Sequence, residues 1–440
     1  MSNDFELFKD KIDKKAAKVT IIGLGFVGLP TALFLADGGY EVIGIDINKE
    51  KVSKIKNKAL PFNENSLRDL FSKIMDNNKL TVYSEIPENY SSDVWMIAVA
   101  TPLSKDLKPD LSNLISAIKD IIPHIKNNCL IIIESTITPG TTMEIIRPML
   151  DELRKQYSIW LAHCPERILV GNVYNEFKNL SRVIGGIDNE STELAYHLYK
   201  NIINGELYKT DSTTAELVKV AENTYRNINI AFANQLALIC NKFSRSAYDI
   251  IELANKHPRV NILRPGCGVG GHCIPKDPVL LYYASIGKNF DPILIKVARE
   301  INEEMPSNVI RILEEYLKNK NLKLEGLKIA VLGVSYKGDS DDIRNTPVEK
   351  IIKNLVEKGA IVSSFDPYIK EGFSSNVANS IIEAIKDVKI ILITTGHSVF
   401  KDLDFKEMYK IACESPIIFD TRGIIDVEKA RLAGFEVLTL

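Results

Sequence analysis

The sequence predicts an α/β fold, two doubly wound parallel-sheet domains joined by a central helical domain with a long helix. Two apolar runs ending in glycine, Lys18-Val-Thr-Ile-Ile-Gly23 and Leu327-Lys-Ile-Ala-Val-Leu-Gly333, each open a stretch where short β-branched strands alternate with helical segments. That alternation is the pattern of parallel strands joined by crossover helices. Between the two stretches, from Ser212 to Phe243, there is neither proline nor glycine, so one continuous helix is expected.

The elements follow in order. Lys18–Gly23 is short, apolar and β-branched, as a buried parallel strand should be. A helix is expected from about Phe26 to Ala36, then strands at Tyr40–Asp46, Asp93–Ala100 and Cys129–Glu134, giving a first domain at residues 1–210. The long helix carries Leu217, Val220, Ala221, Ile228, Ala231 and Leu238 as apolar positions, with Ser212 as a candidate N-cap. Shorter helices, interrupted by the glycine-rich Pro265–Gly271, complete a central domain at 211–318. So long a helix is more often an interface element than a surface one, so a homodimer or higher oligomer is expected; a linker helix crossing a monomer is the alternative. Residues 319–440 form the second sheet domain, with strands at Leu327–Gly333, Ala360–Asp366, Val388–Thr394 and, last, Pro416–Asp420, and a helix around 347–358. Two sheet domains flanking a helical one suggest two nucleotide-sized ligands facing each other across a cleft.

Composition narrows the functional classes. The 440 residues exceed one ordinary core, and roughly 150 residues per domain gives about three domains. Lys and Arg number 55 against 57 Asp and Glu, a net charge of −2, so nothing draws the whole chain to nucleic acid. The six cysteines (129, 164, 240, 267, 273, 413) contain no CxxC pair, which argues against a disulfide scaffold or a thiolate zinc site. The charged start, MSNDFELFKDKIDKK, lacks the apolar core of a signal peptide. No apolar run approaches the about 20 residues that span a bilayer. A soluble protein of the reducing cytoplasm, with neither nucleic acid nor membrane as partner, is expected.

Gly23-Leu24-Gly25-Phe26-Val27-Gly28 is a GxGxxG turn between a strand and a helix, which makes the first domain Rossmann-like. The first glycine permits the turn, the second admits a pyrophosphate, the third lets helix and sheet close, and the helix N-terminus offers free N–H groups to phosphate. Asp46 ends the next strand, where an acid bonds both ribose hydroxyls and repels a 2′-phosphate, favouring NAD over NADP. A turn acid is the plainer reading. Lys51 is within reach of the same nucleotide or is a solvated surface lysine. Thr101 follows the strand end Ala98-Val99-Ala100, at the edge of the sheet where ligands bind.

Gly266-Cys-Gly-Val-Gly-Gly-His-Cys-Ile-Pro-Lys-Asp277 is the most informative segment. Its glycines, Gly270 among them, let backbone amides approach a substrate, and Cys273 follows at once with His272 and Asp277 nearby. A cysteine becomes a nucleophile where cations or aligned amides stabilise its thiolate; an inert buried thiol is the alternative and is the favoured reading for Cys129, Cys164, Cys240 and Cys413. Adjacent His272 and Cys273 are awkward chelators, so no metal is expected. On the long helix Lys219 and Asn223 share a face and could clamp a developing oxyanion or simply be solvated. Thr136 and Glu166 lie beside sheet ends, where surface polarity is the more ordinary reading of either.

Together these motifs resemble the UDP-glucose/GDP-mannose dehydrogenase family, from about residue 17 to the C-terminus: IGLGFVGLP, ESTITPGTT, AENTYR, GVGGHCIPKD and SYKGDSDDIRNTP occur in order. HCPERILVGN and Lys256-His-Pro-Arg-Val-Asn-Ile262 resemble the branch acting on UDP-N-acetylhexosamines, UDP-N-acetyl-D-mannosamine foremost. The resemblance implies a four-electron oxidation of the sugar C6 with two NAD per sugar and a Cys273 thiohemiacetal and thioester. It implies that Lys219 and Asn223 stabilise oxyanions, that Asp277 assists proton transfer, that Thr136 holds water beside the cofactor and that Glu166 manages thioester hydrolysis. Arg167, Gly270, Lys337 and Arg422 would join Glu166, Lys219 and Asn223 in binding substrate, Arg259 would be lent across a dimer, and Arg344 would complete the nicotinamide side. The C-terminal sheet would bind UDP. It departs from the first fingerprint, since Val334, Ser335 and Tyr336 follow Gly333 and no second dinucleotide turn is formed. Cys267, six residues before the nucleophile, is expected to be packing, with a reversible Cys267–Cys273 disulfide as the minority reading.

UDP-N-acetylglucosamine and UDP-glucose remain alternative substrates. A single-step hydroxyacid-type dehydrogenase would have no use for Cys273, and a non-catalytic nucleotide sensor would bind cofactor without reducing it.

Overall fold

The computed structural model describes residues 3–168 and 171–440. The chain divides into two compact units, Met1–Glu222 with Val279–Phe290, and Asn223–Pro278 with Asp291–Leu440.

In the first unit the strands are β1 (Lys18–Ile22), β2 (Glu41–Ile45), β3 (Leu80–Tyr83), β4 (Val94–Ile97), β5 (Cys129–Ile133), β6 (Ile159–His163), β7 (Arg182–Gly186) and β8 (Leu207–Asp211). They form one sheet in the order β3-β2-β1-β4-β5-β6-β7-β8, parallel throughout except where β7 runs antiparallel to β6. Strands β4, β5 and β6 are buried along their whole length, which is why they read as unbroken apolar runs. The order reverses between β1 and β4, and a crevice at such a switch point is where an open α/β sheet takes its ligand. The helix Asn3–Asp13, absent from the sequence expectations, covers one face: Phe5, Phe8 and Ile12 are buried at helical spacing, and Phe8 stacks on Trp160 with centroids 5.1 Å apart. Its many charges had masked that stripe.

In the second unit the strands are β9 (Lys328–Leu332), β10 (Ile361–Phe365), β11 (Asn376–Val377), β12 (Ile390–Ile393), β13 (Ile417–Asp420) and β14 (Glu436–Thr439). Their order, β11-β10-β9-β12-β13-β14, repeats that of the first six strands of the other sheet. The strand at 416–420 is therefore not the last. Glu436–Thr439 is a half-buried edge strand, too mixed in polarity to read as a core strand.

The long helix runs Ser212–Lys242, starting in one unit and ending in the other. Its N-cap is Asp211 rather than Ser212: the Asp211 carboxylate accepts the Thr214 N–H at 2.9 Å and the Thr214 hydroxyl at 2.6 Å. Ser212 is already inside the helix, its hydroxyl buried without a hydrogen bond. The helix also inverts the expected polarity. Val220 and Ala231 are buried, but Leu217 and Ala221 are exposed while Lys219, Asn223, Asn227 and Asn234 are buried. After Ala247–Ala254 and Cys273–Ile286, the central region ends in Ile293–Lys318. This helix has 26 residues with Pro306 inside it, shorter than the 31-residue helix that starts at Ser212 but by little more than one turn.

Candidate active site

The GxGxxG turn sits at the carboxyl end of β1. Gly23 has φ +94°, and a Cβ on Gly28 would lie 1.9 Å from the Gly23 carbonyl oxygen, so neither position accepts a side chain. Asp46, just past β2, is buried and accepts the Leu24 N–H at 2.8 Å and the Asn48 N–H at 2.9 Å. Lys51 places Nζ 2.5 Å from Asp46 Oδ2, so it is a partner of that acid and not a solvated lysine. Phe26 packs on Phe62 with centroids 4.3 Å apart, and Val27 immediately precedes the helix Gly28–Asp37.

Gly23, Gly25, Asp46 and Lys51 border a cavity of about 780 Å³ lined also by Ala98–Ala100, Asn113, Lys119 and His124. The residues fit a dinucleotide: around Gly25 a Cβ would meet nothing within 4 Å, leaving room for a pyrophosphate, and the Asp46 carboxylate sits in the cavity wall for a ribose. Asn113 and His124 were not found by sequence reasoning, because they lie on a helical segment beyond β4 with no fixed spacing from the turn. Ile47 was findable, as an exposed apolar residue directly after the acid.

At the carboxyl ends of β4 and β5 the Thr101 hydroxyl donates to the Thr136 carbonyl at 2.5 Å, tying the two loops together. Glu166, which sequence reasoning ranked with surface polarity, is buried. Its Oε1 accepts the Arg167 and Ile168 N–H groups at 2.7 and 3.0 Å, and its Oε2 accepts from Arg182. The Arg167 guanidinium is engaged by Glu222 at 2.5 Å and by Ser181. Lys219 is buried on the long helix. His163, which opens the segment HCPERILVGN but was given no role there, is fully buried with no hydrogen bond at either ring nitrogen. Burial pushes it down to about 3 and the nearby Lys219 charge adds to this, with a partial offset from the Ile133 carbonyl, so the ring is neutral.

In the second unit Cys273 is exposed and opens the helix Cys273–Ile286, so a charge on its sulfur sits at the positive end of that helix. Asp277 is one turn on, buried, with Oδ2 accepting from Asn223 Nδ2 at 2.6 Å and Lys276 Nζ at 3.8 Å from Oδ1. The glycine loop before the thiol is held on both sides. The Gly271 N–H donates to the Arg344 carbonyl at 2.8 Å, and a Cβ on Gly270 would lie 2.4 Å from Tyr336 Cβ. At its start the Gly266 N–H donates to Asn234, whose amide bonds Asn302 at 2.8 Å, and Asn302 in turn bonds Asn227. This asparagine ladder escaped sequence reasoning because lone asparagines on a helix have no signature.

Arg344 forms a two-point pair with Asp342. Arg422 lies against Gly266, and Arg259 is exposed in the loop before the thiol segment. Cys267 is buried and its thiol donates to the Thr394 carbonyl at 3.4 Å. That thiol is packed into the core under the second sheet, which argues against a disulfide with exposed Cys273. Lys337 is half-buried, its carbonyl accepting the Ser335 hydroxyl at 2.8 Å. Asp366 directly follows β10 as Asp46 follows β2, and accepts the Val334 N–H at 2.7 Å. Fully buried His397 sits 3.0 Å from its Oδ2, closing the place where Asp46 meets a cavity.

A Rossmann sheet with a ribose acid, a second sheet without one, and a thiol at a helix N-terminus beside a buried Asn–Asp pair define an NAD-dependent dehydrogenase that carries a cysteine. The chain belongs to the UDP-glucose/GDP-mannose dehydrogenase family: residues 17–203 match its NAD binding domain, 213–304 its central domain and 330–427 its UDP binding domain. It is 41% identical over 434 residues to the UDP-N-acetyl-D-mannosamine dehydrogenase of Methanococcus maripaludis, covering 97% of this chain and 98% of that one. Among solved structures it is similar to the UDP-D-ManNAc dehydrogenase of Pyrococcus horikoshii, with TM-score 0.88, 38% identity and coverage of 96% and 98%. The native UDP-N-acetyl-mannosamine dehydrogenase of Staphylococcus aureus follows at TM-score 0.82, 36% identity and the same coverage.

Proposed function

We propose that the protein oxidises C6 of UDP-N-acetyl-D-mannosamine from alcohol to carboxylate, using two NAD per sugar. The observation that carries this reading is Cys273, exposed on the first turn of its helix with Asp277 one turn behind it. Relatives that share the fold over almost the whole chain bear this substrate in their names.

When bound, NAD accepts a hydride at each of the two oxidations. The chain's own groups handle the rest. The C6 hydroxyl proton leaves through water held near Asp277, and Lys219 and Asn223 stabilise the alkoxide as it forms. The Cys273 thiolate then adds to the aldehyde carbon, forming a C–S bond and a second alkoxide, because an aldehyde has no hydride to give until a nucleophile adds. Loss of that hydride leaves a thioester. Water, with Thr136 and Glu166 beside it, attacks the carbonyl; the C–S bond breaks and the thiolate returns. The net change is one alcohol, one water and two NAD giving a carboxylate, two NADH and three protons. Arg167, Gly270, Lys337 and Arg422 serve the UDP-sugar, and Arg344 the nicotinamide side.

The working form is a homodimer. Tyr225, Phe232 and Ile239 are exposed at seven-residue spacing on the long helix, with Phe243 one turn further. This apolar stripe suits a second copy of itself and leaves Arg259 to be lent to the partner's substrate. No helix among the described residues is long and apolar enough to cross a membrane. We place the protein in the cytoplasm, whose reducing conditions keep an exposed thiol such as Cys273 free of disulfides.

NADH release measured with UDP-N-acetylmannosamine, UDP-N-acetylglucosamine, UDP-glucose and GDP-mannose tests the substrate. Two NADH per sugar with the first, and none from Cys273→Ala, are expected. One NADH per sugar with aldehyde accumulating would remove the thioester step.

A further inference from the structure

A buried ionic staple crosses three adjacent strands at the carboxyl edge of the first sheet. Glu134 directly follows β5, two residues before Thr136; Arg182 opens β7; Glu166 follows β6. Arg182 is buried, donates Nη2 to Glu166 Oε2, and holds Nη1 3.6 Å from Glu134 Oε1. Its guanidinium lies over the Phe177 ring at 4.4 Å and the Tyr199 ring at 5.1 Å. Glu134 is fixed in turn, accepting the Tyr199 hydroxyl at 2.6 Å and the Thr31 hydroxyl at 3.0 Å.

Such a cluster is a poor stability device, because desolvating a guanidinium and its carboxyl partners costs about what their attraction returns, and apolar side chains of equal volume would serve as well. What it does supply is position. One oxygen of Glu166 is set by the Arg167 and Ile168 amides and the other by Arg182 Nη2, whose guanidinium plane is held against two rings with the Glu134 carboxyl 3.6 Å from its other terminal nitrogen. The same arginine connects the strand that carries Thr136 to the loop that carries Glu166.

We propose that Arg182 is a positioning residue that fixes the Glu166 carboxylate, with Glu134 as its anchor. The inference rests on the reading of Glu166 as the group that manages thioester hydrolysis. In the full-length protein with both substrates, Arg182→Lys keeps the charge but loses the planar guanidinium, and kcat falls roughly tenfold to a hundredfold while kcat/KM for the sugar stays within about twofold, because the slowed step follows adduct formation. Glu134→Gln loosens the anchor and lowers kcat by about threefold to tenfold. In both, intact-mass measurement during turnover shows a sugar adduct accumulating on Cys273. A variant that keeps the wild-type melting temperature is sufficient, and wild-type kcat without adduct in either folded variant overturns the proposal. Glu166→Gln separates the two ideas: if it stalls with adduct while the other two behave as wild type, only the positioning role falls. If Glu166→Gln itself turns over normally, the reading of Glu166 falls.

Discussion

Asn223 donates its side-chain amide to Asp277 Oδ2 at 2.6 Å, both groups buried, while Asp277 Oδ1 has no hydrogen-bond partner. The bond ties the long helix to the helix that Cys273 opens and fixes which carboxylate oxygen is spent on structure. The other oxygen is left for a proton in transit, an arrangement that suits general acid–base work through water.

Asp277→Asn tests that division of labour. The amide can still pair with Asn223 after both flip, so the melting temperature should shift by only a few degrees. The proton acceptor is gone, and kcat for NADH formation should fall by about a hundredfold or more. Stopped-flow rates beside a thermal melt check both, and a variant with wild-type kcat would strip Asp277 of its role.

Asp46 has three partners, the Leu24 and Asn48 amides and Lys51. Asp46→Ser removes the ribose acceptor and the charge that repels a 2′-phosphate, and releases the Lys51 ammonium toward the cavity. KM for NAD should rise at least about tenfold, and kcat/KM for NADP should improve relative to NAD, since a freed cation favours phosphate. Unchanged preference between the two cofactors would show that Asp46 does not read the ribose.

The sheets and the fingerprint were legible because both rest on local rules: unbroken apolar runs for strands buried on two faces, and glycines where no Cβ fits. The long helix was legible in extent but not in orientation. Its buried face mixes Lys219, Asn223, Asn227 and Asn234 with Val220, Ala231, Ala233 and Ala237, which no hydrophobic period reports, and its exposed stripe of Tyr225, Phe232 and Ile239 is apolar, the opposite of an isolated amphipathic helix. Cys273, Asp277, Lys219 and Asn223 stood out by motif; Arg182 lay in none, and Glu134 and His163, though they open ESTITPGTT and HCPERILVGN, were given no role there. They interact across neighbouring strands that are distant in sequence, and nothing local marks a buried arginine or a neutral histidine.

Two of those unmarked groups should make stability respond to pH in opposite senses. Glu134 is pushed up to about 7, chiefly by burial and further by Glu166, with Arg182 and the Tyr199 and Thr31 hydroxyls offsetting part. The folded state thus binds its proton more tightly than the unfolded chain, and stability falls as pH rises from about 4.3 to 7. His163 is pushed down to about 3, so the unfolded chain binds that proton more tightly and stability rises with pH between about 3 and 6.5. In the wild type the two slopes, each at most about 1.4 kcal/mol per pH unit, oppose each other between about 4.3 and 6.5. His163→Leu removes one of them and should gain about 2 kcal/mol at pH 5 relative to pH 7. Urea melts of both proteins at the two pH values check it, and parallel curves would mean that His163 titrates normally in the fold.

The exposed stripe Tyr225, Phe232, Ile239 and Phe243 makes the last expectation quantitative in assembly state. Phe232 is 53% exposed, at the middle of the stripe, so Phe232→Arg costs the isolated fold little while placing a charge in the centre of the surface proposed to pair with itself. Two copies related by a two-fold axis would bring the two new guanidinium groups together, adding like-charge repulsion to the lost aromatic burial. Light scattering should find twice the chain mass in the wild type and one chain mass in the variant at micromolar concentration, with the melting temperature of the residual fold still cooperative. KM for the UDP-sugar should rise in the variant as well, because Arg259 can then no longer reach a partner's substrate. A wild-type protein that scatters as a single chain, or a variant that keeps both its mass and its KM, would leave the stripe without the partner assigned to it.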